Sequence, residues 1–116
     1  MILQTMDRDQ MKEHFKLGTH QQNGGVCIRA TGDLIITNAN QLQTKLDETI
    51  EEGTIVLMLD LSNVQYIDSF GIGVVVKTKS EVDKRQGRFK VIVNQPLQSL
   101  FHKCHLDDYI DLELTE

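Results

Sequence analysis

Residues 66–73 read YIDSFGIG, directly after the apolar run TIVLMLDL and the short link SNVQ, and directly before VVVKT. A hydroxyl beside a carboxylate, at a point where a buried strand gives way to a helix, supports three chemistries. Ser69 can cap the helix, since Ser and Asp are preferred where the first backbone N–H groups lack partners. It can be a nucleophile, which requires a base and, in the strand–helix elbow, the pattern G-x-S-x-G. Here Ile67 holds the first glycine position, and His14, His20, His102 and His105 are all remote in sequence. Or it can accept a phosphoryl group, adding about −1.5 to −2 charge at neutral pH beside Asp68. The positive end of the helix dipole makes that location favourable to an anion. Gly71 would let a partner's backbone approach closely. Gly73 thins the first helical turn, and each glycine in an early turn costs roughly 1 kcal/mol against alanine.

Other candidate chemistry is weaker. HKCH at 102–105 offers His102, Cys104 and His105, but a zinc site needs four ligands at set spacings and no second cluster follows. DSFGIG lacks both the P-loop lysine and the dinucleotide-binding spacing, so no nucleotide cofactor is expected. Lys77, Lys79, Lys84, Arg85, Arg88 and Lys90 form a basic run, read as a solvated helix face or a surface for an acidic partner.

The elements that must position Ser69 follow from periodicity. A weak strand, FKLGTHQ, meets the turn signal Asn23-Gly24-Gly25, and VCIRATG returns from it with Val26, Ile28 and Ala30 on one face. Ala39, Leu42, Leu46 and Ile50 make the apolar stripe of a helix, with Asn38 as its cap, Gln41 completing a capping box, and Gly53 as its end. Ile55–Leu59 is continuously apolar and reads as a central strand. Phe70, Val74, Thr78 and Val82 recur every fourth residue in a second helix closed by Gly87. RFKVIV is another buried strand. Asn94 and Pro96 open a third helix whose buried stripe is Leu97, Leu100, Phe101 and Cys104. YIDLELT alternates and predicts a short edge strand. The order β-β-α-β-α-β-α-β implies parallel βαβ units in a mixed sheet.

The chain has 116 residues, 40% hydrophobic and 25% charged, with 5% aromatics, no Trp and a net charge of −5. That describes one globular domain with an aliphatic core. The acidic balance opposes nucleic-acid binding. No signal peptide or membrane-spanning run is apparent, so a cytoplasmic protein without membrane contact is expected. Cys27 and Cys104 are expected to be buried free thiols.

The segment MLDLSNVQYIDSFGIGVVVKT resembles the signature of the STAS-domain anti-sigma factor antagonists of bacteria. Asp60, Leu61, Ser62, Val64, Tyr66, Ile67, Asp68, Ser69, Gly71, Ile72 and Gly73 all match that pattern. CIRATGDLIITNANQLQTKL and GRFKVIVNQPLQSLFHKCHLDDYI are similar to the family's flanking elements. The resemblance implies a single STAS-like α/β domain over residues 13–116, after an N-terminal arm at residues 1–12. Its mixed sheet would have four to five strands, with helices packed mainly on one face. It implies partner switching by a non-enzymatic regulator. The unphosphorylated protein would bind a serine kinase anti-sigma factor, the kinase would use its own ATP to phosphorylate Ser69, and a PP2C-type phosphatase would reverse this. The implied partner surface comprises Asp68, Ser69, Phe70, Gly71, Ile72 and Gly73, with Asp33 and Asn38 from the first turn and helix. Two positions depart from the pattern: Phe70 replaces the usual Ser or Thr, and Ile35 replaces an acid. A constitutive scaffold module, in a transporter-linked or signalling assembly with Ser69 only a helix cap, is the rival reading. A small hydrolase is a third.

Overall fold

The computed structural model describes residues 15–115, so the expected arm at 1–12 lies outside the described residues. Eight elements follow in the predicted order. They are β1 (Lys16–Gln22), β2 (Gly25–Thr31), α1 (Ile36–Glu51), β3 (Val56–Asn63), α2 (Ser69–Lys84), β4 (Arg88–Val93), α3 (Gln95–Lys103) and β5 (Asp111–Leu114). The five strands form one mixed sheet whose spatial order equals the chain order. β1 pairs antiparallel with β2, and every later pairing is parallel.

The β1–β2 connection shows how directly local sequence acts. Asn23 and Gly24 both take positive φ, 54° and 79°. That is the geometry a tight hairpin turn demands and that Asn-Gly tolerates best. The three parallel connections each contain a helix. Such crossovers are right-handed almost without exception. With strands laid down in sequential order, that handedness places all three helices on the same face of the sheet.

The core lies between that face and the helices. Partners in register such as Ile28, Leu59 and Val91 turn together toward α1 and α2, and all are fully buried. Ala39, Leu42, Leu46 and Ile50 of α1 are buried as their spacing predicts. In α2 the buried face is Gly71, Val74, Val75, Thr78 and Val82, so Phe70 is not part of it: the ring is 54% exposed. The inward stripe runs i, i+3, i+4, i+7 from Gly71, and Phe70 falls one residue, about 100°, off it.

Four further expectations need correction. α1 begins at Ile36, not after Asn38. Cys27 is buried but Cys104 is exposed, because it follows the last turn of α3 rather than lying on its inner stripe. Ile55 is exposed ahead of a strand that starts at Val56 and runs on to Asn63. The left-handed residue after α2 is Gln86, not Gly87. Asn94 does cap α3 as expected, accepting the Leu97 N–H at 3.0 Å. Its amide also donates to the carbonyls of Ser62 and Val64, which fixes the chain leaving β3.

Candidate functional site

The loops that leave β2, β3 and β4 lie at the carboxyl ends of the parallel strands, the edge where α/β sheets place their sites. Two of these loops are laced together by backbone bonds. The Gly32 N–H donates to the Asn63 carbonyl, Leu34 to Tyr66, and Asp68 back to Leu34. An isolated parallel bridge joins Leu34 and Ile67. The first turn of α1 is thereby held beside the first turn of α2, although the two are remote in the chain.

One carboxylate completes this junction. Asp68, not Ser69, is the N-cap of α2. One of its oxygens accepts the N–H groups of Phe70 at 2.9 Å and Gly71 at 3.1 Å. The other accepts the N–H of Ile36, at the head of α1, at 2.9 Å. Asp68 thus caps two helices at once. Asn38 assists from within α1: its side-chain oxygen takes the Ile35 N–H at 2.9 Å and its amide donates to the Asp33 carbonyl at 2.7 Å. Ile35 has no polar side chain with which to cap α1, so the helix draws its cap from Asp68, across the junction.

Ser69 is the first residue of α2 and is solvent-exposed. The cap reading of this serine is therefore corrected. The Phe70 and Gly71 N–H groups already bind the Asp68 carboxylate, whose negative charge opposes the dipole.

Gly71 is also reassigned. A Cβ there would lie 2.6 Å from Cγ1 of Ile67 and 2.8 Å from both the side chain and the carbonyl of Leu34. Its small size serves the packing of α2 onto the loop from β2. Gly73, by contrast, faces open space. Ile72 is half-buried against the core. Asp33 is exposed and Asn38 half-buried at the rim.

Two surface residues carry no periodic signal in the sequence, although Tyr66 falls within the matched signature. Ile36 is 59% and Tyr66 58% exposed, on the loops and helix start laced to the head of α2. No periodicity identifies them, because they lie outside the regular stripes. The contacts with Asp68 and Leu34 bring them together.

Other matched positions support the scaffold. Asp60 is buried within β3, where it accepts the Ser62 N–H at 2.9 Å and Arg29 Nε at 3.1 Å. Burial opposes its ionisation, but the hydrogen bonds from Ser62 and the Arg29 guanidinium outweigh that and hold the carboxyl below its ordinary range. Two of the histidines find other partners. His20 meets Gln22 at 3.0 Å in β1, and His102 meets Asp107 at 2.7 Å beside the end of α3. The HKCH segment therefore supplies one half of a His–Asp pair. Much of the basic run is also paired, through Lys79–Asp83, Lys84–Glu81 and Lys90–Glu113. Among the described residues, no helix is long and apolar enough to cross a membrane.

The molecule is thus a small α/β domain that displays an exposed serine at the head of α2, on the carboxyl edge of its sheet. The STAS domain family model matches residues 16–116, and the chain belongs to that family. It is 32% identical over 93 residues to the anti-sigma-B factor antagonist of Bacillus subtilis (strain 168), across 79% of this chain and 84% of that protein. Among solved structures it resembles an anti-sigma factor antagonist from Mycobacterium paratuberculosis. That match has a TM-score of 0.78 and 21% identity, over 84% of each chain. It also resembles the phosphorylated form of the Bacillus cell-fate determinant SpoIIAA, with a TM-score of 0.68 and 21% identity over 88% of this chain and 91% of that one. At such identities the two structures bear on the fold alone, which they share.

Proposed function

We propose that this protein is a cytoplasmic anti-sigma factor antagonist whose binding is switched by phosphorylation of Ser69. With the hydroxyl free, the surface around it docks on a serine kinase anti-sigma factor and the sigma factor is released. The kinase transfers the γ-phosphoryl group of its own ATP to Ser69 Oγ. ADP leaves, the hydroxyl proton passes to a base on the kinase, and docking is lost. A PP2C-type phosphatase hydrolyses the phosphoserine and resets the switch. The chain acts as substrate and binding module, not as an enzyme.

The observation that carries this reading is the exposed Ser69 hydroxyl next to a carboxylate that already engages the helix N–H groups. A phosphate there meets the Asp68 charge rather than a vacant ring of donors, so its own charge projects uncompensated from the surface. The kinship with a protein named as an anti-sigma-B factor antagonist supports the same reading.

The test uses the purified serine kinase anti-sigma factor of the same organism. Wild type and Ser69→Ala should bind it, Ser69→Glu should bind at least about tenfold more weakly, and radiolabel from γ-labelled ATP should enter wild type but not Ser69→Ala. Equal binding by all three with no phosphate uptake would leave a constitutive scaffold module as the reading.

A further inference from the structure

β5 closes the sheet on one side, and it pairs with β4 alone. Just past it, the Thr115 N–H donates to the Val93 carbonyl at 2.8 Å. Backbone groups alternate in direction along a strand, so Asp111 and Glu113 also turn theirs toward β4. The N–H and C=O groups of Leu112 and Leu114 point the other way, and they have no protein partner among the described residues. Side chains alternate as well. Leu112 packs against the core under the helices, while Glu113 lies on the opposite face with Lys90, its ion-pair partner at 3.1 Å. A cleft of about 550 Å3 lies against this edge, lined by Gln98, Ser99 and His102 of α3 and by Ile110 and Leu112. Residues 107–114 read DDYIDLEL, with four acids and no cation. Asp107 pairs with His102 and Glu113 with Lys90, whereas Asp108 and Asp111 have no ion-pair partner among the described residues. Tyr109 and Leu114 are both exposed beside them.

We propose that the β5 edge is a second docking site, which accepts an extended segment of a partner protein as an added strand. In that segment, apolar residues alternate with lysine or arginine. Its backbone bonds to the outward N–H and C=O groups of Leu112 and Leu114. Every second side chain enters the cleft, against Leu112 and α3. The side chains between them stand beside Asp111 and Glu113 on the opposite face, which is why they are basic. A strand edge flanked by a helix supplies both parts of this recognition mode: main-chain bonds give affinity, and a pocket for alternate side chains gives specificity. The acids also select against other occupants. A second copy of β5 paired on this edge would bring carboxylates against carboxylates, as charged edge strands do to prevent sheet-to-sheet association. A basic strand turns that repulsion into attraction. None of the groove residues belongs to α2 or to the loops laced around Ser69, so the site is independent of the phosphorylation switch and stands whether or not Ser69 accepts phosphate.

The test titrates the full chain, isotope-labelled for amide NMR, with a short end-capped peptide of alternating valine and lysine at low salt. The Leu112 and Leu114 amides are expected to shift and to exchange more slowly with solvent. Glutamate in place of the peptide's lysines should weaken binding at least about tenfold, and so should Asp111→Lys combined with Glu113→Lys. Both of those side chains are exposed. The backbone is probed at Leu114. Leu114→Pro deletes an outward N–H and leaves the ladder to β4 intact, as an edge strand tolerates. It should bind about fivefold more weakly than Leu114→Ala, which keeps that donor. Thermal melts verify that the variants fold, and the two charge reversals decide the matter if Leu114→Pro does not. Absence of binding, shifts confined to other elements, equal binding of the basic and acidic peptides, or equal binding by folded Leu114→Pro and Leu114→Ala would each overturn the proposal.

Discussion

The two ends of α2 satisfy their polar groups in opposite ways. At the Ser69 end a single carboxylate gathers backbone N–H groups from two helices, and the exposed side chains are a mixture of Ile36, Tyr66 and Phe70 with Asp33, Thr37 and Ser69. At the Lys84 end charged side chains pair with each other on the surface. Lys84 meets Glu81 at 3.3 Å, Lys79 meets Asp83 at 2.9 Å, and Lys79 also lies over the ring of Tyr109. The first arrangement is rigid in its backbone and incompletely covered in its side chains, which suits docking. The second is solvated and screened, which suits solubility. Polar residues alone do not distinguish these ends; what their polar atoms bond to does.

The comparison breaks most readily at Asp68. Asp68→Ala removes the cap of α2 together with the side-chain acceptor at the head of α1. With about 1 kcal/mol per cap, and more where the freed N–H groups are shielded, the expected loss is about 2–3 kcal/mol of unfolding free energy by urea titration. A loss under about 0.5 kcal/mol, at the bottom of the range for a single cap, would mean that the two helix ends are held by something other than this carboxylate.

The glycines sharpen the contrast within one turn. Gly71→Ala must displace Leu34 or Ile67 and should cost about 1–3 kcal/mol. Gly73→Ala enters open space and should stabilise by about 0.5–1 kcal/mol, because it removes glycine's conformational freedom in a helix. Calorimetric melts of the two variants should shift in opposite directions. A shift of the same sign would contradict the assignment of Gly71 to internal packing.

The smallest effect belongs to the other end. Lys84→Ala removes a solvent-exposed ion pair and should change stability by less than about 0.5 kcal/mol, and less still in high salt. A larger change would show that this end, too, is a built junction.

Much of the fold follows from local signals. The Asn23-Gly24 turn, the Ala39–Ile50 stripe, the continuous strand RFKVIV and the Asn94–Pro96 helix start each act through neighbouring residues, and each stands where its pattern puts it. The failures lie where a distant group decides. Local pattern puts the start of α1 too late because its cap is Asp68, 32 residues away. Phe70 fits a four-residue repeat, but the inward face of α2 is set by the packing of Gly71 against Leu34. Cys104 reads as inward because apolar spacing continues one residue past the last turn of α3.

The linear chain is enough to set the order of elements, the handed crossover that puts the helices on one face, and the serine at the head of α2. Periodicity, turn chemistry and crossover handedness are properties of short stretches, so they can be read along it. Three things emerge from the folded molecule alone: that Asp68 is the cap, that Gly71 serves the core, and that the head of α1 is tied to the head of α2. Each depends on two loops being laced together across the sheet edge, and no local pattern encodes which backbone N–H a distant carboxylate will meet.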